Sequence, residues 1–331
     1  MATILPSRAL PATPWAAGRA GDDYGVSDTP DWRAIDWREH SHDVTIAGRR
    51  VHYVDMGSGD GPPIVLVHGL AGNWQNWLEQ IPRLAAERRV VALDLPGFGA
   101  SERPAEKITM SGYGRGVDAL CEELGLGEVV LVGNSMGGFV TAETAIQFPQ
   151  RVERLVLVSA AGITTNSLRR EPVMVWGRIA MMAGTRSAAE RRMAILRPRL
   201  RHAIFSMLVR HPSRISAEIL WEISLGAGRP AFKDALEAIL DLDFRDRLDD
   251  IRVPTLIVWG RNDMLVPVGD AAEYERLIPG ARKVVMDETG HVSMIERPRT
   301  FNDLLLEFAR EPRGQQTDDV GEATAESVGS G

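Results

Sequence analysis

One stretch constrains this chain more than any other: the apolar run Val129–Val132 enters Gly133-Asn134-Ser135-Met136-Gly137-Gly138, and a helix-like segment, Phe139–Phe148, follows at once. An unbroken run of Val and Leu reads as a strand covered on both faces. Gly133 and Gly137 carry no Cβ, so the backbone can turn sharply from strand to helix and hold Ser135 in a strained conformation. Such a turn exposes the serine hydroxyl. It also sets the backbone N–H of Met136 at a helix start, where unpaired donors and the positive end of the helix dipole stabilise a developing anion. A serine hydroxyl is a weak nucleophile until a base takes its proton, so a histidine and an orienting acid are expected elsewhere in the chain.

Similar β-branched runs recur with helical stretches between them, the pattern of a mostly parallel sheet flanked by helices. Val44–Ile46 and Val51–Val54 alternate polar with apolar residues and read as an antiparallel hairpin opening the sheet. Ile64–Val67, Val90–Leu93, Leu155–Val158, Thr255–Val258 and Lys283–Met286 are wholly apolar or nearly so, and read as central strands. From 162 to 250 no strand is evident, and helical segments carry Met174, Trp176, Met181, Met182, Met193, Met207 and Trp221. This span reads as an inserted helical cap, in which flexible Met side chains suit an adaptable apolar binding surface over a substrate. Residues 31–161 and 251–310 then form the core. Residues 1–30, rich in Pro, Gly, Ala and Asp, are expected to form a flexible N-terminal arm, and the polar residues 311–331 a disordered tail.

Composition excludes several function classes. A content of 44% apolar and 25% charged residues in 331 supports a sizeable globular core. The formal charge of −7 argues against nucleic acid as the main partner, since phosphate binding is driven by clustered Lys and Arg. A single cysteine, Cys121, excludes an intramolecular disulfide, fits a reducing cytoplasmic setting and reads as a small core residue. No run approaches the roughly 18 apolar residues of a membrane span, and Pro6, Pro11 and Pro14 interrupt the segment where a signal peptide would need continuity. No motif calls for a metal or a cofactor. Between Thr164 and Arg214, however, eleven Arg face two Glu, an asymmetry that would orient the cap in weak peripheral contact with anionic lipid.

Taken together, these segments resemble the α/β-hydrolase superfamily from about residue 40 to residue 310. The resemblance implies an α/β-hydrolase fold with an eight-stranded, mostly parallel sheet. The loop His68-Gly69-Leu70-Ala71-Gly72-Asn73-Trp74-Gln75-Asn76-Trp77 resembles the family's oxyanion loop, which implies that the N–H of Leu70 is a second oxyanion donor beside Met136. The His68 side chain is read as packing that loop by hydrogen bonding. Asp94-Leu-Pro-Gly97-Phe-Gly99-Ala-Ser101 resembles a further family loop, with Asp94 fixing it in place. Among seven histidines, His291 lies in Asp287-Glu288-Thr289-Gly290-His291, which resembles the C-terminal histidine loop and implies the general base. Asp263, in Gly260-Arg261-Asn262-Asp263 at the end of a strand, is the orienting acid by the same likeness, and the chain order Ser, Asp, His is that of this fold. Asp287, close to the histidine in sequence, is the rival acid; the position after Val158 holds Ser159-Ala160-Ala161, with no carboxylate.

Serine at the elbow, where related enzymes that open epoxides or remove halogen carry aspartate, points to acyl transfer to water. A small-molecule ester with an apolar acyl part is the expected substrate, and the enzyme class a carboxylesterase or lipase-like hydrolase. Trp74, Trp77, Asn134 and Trp176 are candidate substrate-binding residues, although Trp74 and Trp77 would serve equally as core. Gly-Asn-Ser-Met-Gly-Gly also resembles the elbow of hydrolases that cleave carbon–carbon bonds in ring-fission products of aromatic compounds. A third reading is a non-catalytic ligand receptor on the same scaffold, because fold does not settle function. Nothing in the residues indicates an oligomeric state.

Overall fold

The structure, a computed structural model, describes residues 14–164 and 187–312. Eight strands form one sheet: β1 (Ser41–Ile46), β2 (Arg49–Met56), β3 (Ile64–Val67), β4 (Val90–Leu93), β5 (Val129–Asn134), β6 (Val152–Val158), β7 (Thr255–Gly260) and β8 (Arg282–Met286). Their spatial order is β1-β2-β4-β3-β5-β6-β7-β8. Pairing is antiparallel between β1 and β2 and between β2 and β4, and parallel elsewhere. The opening hairpin turns through Ala47 and Gly48, both at positive φ, as a tight two-residue connection requires.

The apolar runs are continuous because both faces of the sheet are covered. Val65 and Val67 of β3, with Val129 and Leu131 of β5, face one layer, whereas Ile64, Leu66, Val130 and Val132 face the other. The first layer is closed by helices α2 (Met110–Glu123) and α3 (Met136–Gln147), and the second by α1 (Ile81–Ala85). Truncating a side chain such as Leu131 to alanine is expected to cost about 2–5 kcal/mol, because neither layer can collapse into the cavity. One strand departs from expectation. Lys283–Met286, read above as central, lies in β8 at the sheet's edge, where Arg282 is exposed and residues 283–285 are half-buried. Its apolar content reports burial on average but not strand order, and the flanking cations suit an open edge.

Between β6 and β7 the chain makes helices α4 (Ala188–Leu196), α5 (Pro198–Phe205), α6 (Ala217–Ser224) and α7 (Phe232–Asp241). No strand interrupts the described part of this insertion. Trp176, with Met174, Met181 and Met182, lies outside the described residues. After it come α8 (Gly269–Leu277), the short α9 (Ser293–Glu296) and α10 (Pro298–Arg310).

The expected flexible arm over 1–30 needs correction for its second half. Ala20 and Tyr24 are fully buried, and the Arg297 guanidinium donates to the Ala20 carbonyl at 2.8 Å. A Pro- and Gly-rich composition does not prevent docking when one aromatic finds a buried polar partner. Residues 1–13 and 313–331 are outside the described part. Among the described residues, no helix is long and apolar enough to cross a membrane.

Candidate active site

Ser135 closes β5 with φ 55° and ψ −118°, a left-handed backbone that a residue with a Cβ adopts only under constraint. Three main-chain bonds impose it. The Ser135 N–H donates to Val158 O at 2.9 Å, while its carbonyl accepts from Phe139 N–H at 3.2 Å and Ala161 N–H at 3.0 Å. A Cβ on Gly133 would lie 2.2 Å from the Gly137 carbonyl oxygen, and one on Gly137 would lie 2.2 Å from that of Val67. Both positions are therefore closed to any side chain. Met136 is the first residue of α3, so its N–H belongs to the first-turn donors that have no acceptor within the helix.

The loop after β3 lies against this elbow: a Cβ on Gly69 would sit 3.1 Å from the Ser135 Cβ, and Leu70 follows directly. His68 braces it. Its Nε2 accepts from Leu95 N–H at 3.0 Å and its Nδ1 lies 2.8 Å from Gly69 O, so the proton is on Nδ1 and the ring is neutral. Burial holds the His68 pKa below the usual imidazole value. Asp94 ties two loops together, accepting from Trp74 N–H and from Ala100 N–H, each at 2.8 Å.

The turn after β7 and the loop after β8 are joined along their backbones: Arg261 N–H donates to Met286 O at 2.9 Å and Asn262 N–H to Thr289 O at 2.8 Å. This pairing brings Asp263 Oδ2 to 2.8 Å from His291 Nδ1. The other carboxylate oxygen accepts from Leu265 N–H at 2.8 Å and Val266 N–H at 2.9 Å. Both side chains are buried. Asp287 is placed elsewhere, in an ion pair with Arg261 and with its side chain 74% exposed. Asn134, the neighbour of Ser135, donates its amide to Val158 O at 3.1 Å and to His291 O at 3.3 Å. These bonds put the serine elbow and the histidine loop side by side. They also engage both amide protons of a residue expected to bind substrate, so Asn134 serves here as a brace.

The two tryptophans of the loop after β3 are buried. Trp77 packs against Phe301 of α10 with ring centroids 6.4 Å apart, and Trp74 against Trp37 at 5.1 Å, so core filling accounts for both. Cys121 is buried in the layer with α3, and burial pushes its thiol up to about 12, far from nucleophilic. Sequence reasoning passed over Glu296, a buried carboxylate that accepts from the N–H of Gly290, next to His291, at 2.9 Å. Its sequence signal is faint: one acid after Met294-Ile295.

Residues 64–304 match the model of the alpha/beta hydrolase family. The chain belongs to that family. Among curated relatives of this alpha/beta hydrolase is the dihydrolipoyllysine-residue acetyltransferase component of the acetoin cleaving system of Pseudomonas putida, 33% identical, with 80% of this chain and 68% of that protein covered. The 2-hydroxy-6-oxo-2,4-heptadienoate hydrolase of Pseudomonas putida is 32% identical, with 80% and 94% covered. Among solved structures, the enol-lactonase from Burkholderia xenovorans LB400 superposes with a TM-score of 0.67 at 26% identity, covering 82% of this hydrolase and 100% of the lactonase.

Proposed function

We propose that this hydrolase cleaves a carboxylic ester through an acyl-enzyme formed on Ser135. The observation that carries the reading is a serine held at a left-handed elbow beside a loop, tied to it through Asn134, whose histidine turns Nδ1 to the buried Asp263 carboxylate. A carboxylate only accepts, so Nδ1 carries the proton and the lone pair lies on Nε2. His291 Nε2 takes the Ser135 proton as Oγ attacks the ester carbonyl carbon. The N–H groups of Met136 and Leu70 hold the oxyanion that forms. Collapse breaks the C–O bond, and the departing alcohol receives the proton from Nε2. Water then repeats the sequence on the acyl-enzyme and releases the acid. The helical insertion covers the acyl part of the substrate.

A second reading, carbon–carbon cleavage of a ring-fission product, draws support from the 32% identity to 2-hydroxy-6-oxo-2,4-heptadienoate hydrolase. Both readings place the nucleophile at Ser135. Turnover of a series of nitrophenyl esters of increasing acyl length, run beside a vinylogous dienoate, separates them. Ester hydrolysis that disappears in Ser135→Ala is the expected result. Cleavage of the dienoate with no ester turnover would give the second reading the site, and binding without turnover of either would leave a receptor.

A further inference from the structure

A carboxylate with no solvent contact is costly to bury unless its lone pairs are met, and Glu296 at the end of α9 is fully buried. Four hydrogen bonds converge on it. Oε2 accepts from the Tyr24 hydroxyl at 2.5 Å, from Arg210 N–H at 2.8 Å and from Gly290 N–H at 2.9 Å, and Oε1 also accepts from Gly290 N–H at 2.9 Å. These donors come from three separate parts of the chain: the N-terminal segment, the helical insertion and the loop that carries His291. The same three parts meet again around it. The His291 N–H donates to Leu208 O at 3.0 Å, Gly25 N–H to Glu296 O at 2.7 Å, and His211 N–H to the Tyr24 hydroxyl oxygen at 2.8 Å.

From this geometry we infer that Glu296 and Tyr24 are positioning residues for His291, forming a buried junction that makes the N-terminal segment and the helical insertion structural parts of the active site. The inference rests on His291 being the base of the proposed reaction. Neither residue touches the reacting atoms. Glu296 holds Gly290 N–H, one peptide before His291, while Leu208 holds the His291 N–H itself, so two successive peptides at the imidazole are fixed. A carboxylate offers acceptors at both oxygens, so Oε2 meets all three donors while Oε1 meets the Gly290 N–H a second time. Glutamine would turn an NH2 toward the Gly290 N–H at one of these positions. Burial raises the Glu296 pKa, and the hydrogen bonds from Tyr24, Arg210 and Gly290 oppose the rise.

The junction is testable by hydrogen–deuterium exchange on the full chain, in the parent, Tyr24→Phe and Glu296→Gln. Tyr24→Phe keeps the ring that packs edge-on to His211 at 5.3 Å and removes only the hydroxyl. Exchange of peptides spanning 288–292 and 206–211 should accelerate about tenfold in Tyr24→Phe and more in Glu296→Gln, with peptides of β3 and β5 unchanged. On a nitrophenyl ester, kcat should fall about tenfold while KM stays within about twofold, since the base and not the substrate contacts is displaced. Unaltered exchange in 288–292 and 206–211 in Tyr24→Phe would overturn the inference, whether or not Glu296→Gln folds. A parent that turns over no substrate would instead count against the proposed reaction, because the exchange result judges the junction independently of activity.

Discussion

The loops leaving β5, β7 and β8 and the helices α4 and α5 satisfy their side chains on different terms. In the loops the site's own polar groups are tied: the Asp263 carboxylate meets two backbone N–H groups and His291, and the Asn134 amide meets two carbonyls. On α4 and α5, Met193, Leu196, Leu200 and Ile204 stand between 44% and 62% exposed, the large apolar side chains left most open among the described residues. The proton transfer proposed for these groups would tolerate little displacement, and the groups are over-determined. Contact with an apolar partner needs area rather than an angle, and side chains with rotameric freedom supply it.

The comparison breaks most sharply at the nucleophile. Ser135→Ala is expected to lower kcat about 10⁶-fold with the melting temperature unchanged, and His291→Ala about as much, because members of a fixed unit fail together. Ester turnover by purified variants within tenfold of the parent would end the claim. Asp263→Asn should cost about 10⁴-fold, since the asparagine NH2 can donate to Nδ1 and leave the proton on Nε2. If its kcat matched the parent's, the orienting role would fall.

The helices sharpen the other side. Arg192, Arg197 and Arg199 are exposed beside the apolar stripe on α4 and α5, in a chain of net charge −7. Flotation with anionic vesicles at low salt should show binding that falls about tenfold in Leu196→Ser/Ile204→Ser. Equal absence of parent binding to anionic and neutral vesicles would remove the lipid contact. The smallest effect concerns His68, held neutral by burial, with its pKa below the ordinary 6.5. As pH falls below about 6.5 the unfolded chain takes up a proton that the folded chain refuses, so stability is lost on the acid side. Melting temperatures measured from pH 8 to pH 5 should therefore decline less in His68→Gln than in the parent, from a lower starting value. Parallel curves would show that His68 does not contribute.

The elbow was legible in the residues because its causes are local. A strand buried on both faces, two glycines whose Cβ atoms would collide and a helix start lie within ten residues, and the Ser135 backbone follows from them. Asp263 and His291 were legible through likeness, and their 2.8 Å contact depends on β7 and β8 being neighbours, which no local pattern states. Asn134 and Trp77 show the opposite case. Asn134 was expected at a ligand and Trp77 equally at a ligand or in the core, and partners far along the chain, His291 and Phe301, engage them.

By itself, then, the order of residues determined what each short segment could become: which runs pleat, where the chain must bend and which hydroxyl is presented. Tertiary structure alone decided that β8 is an edge and that Tyr24 is buried. It also set Glu296 behind the histidine loop. Tyr24 and Glu296 are 272 residues apart, and their bond exists only because a shared interior brings both out of water, where an unmet donor or acceptor would be expensive.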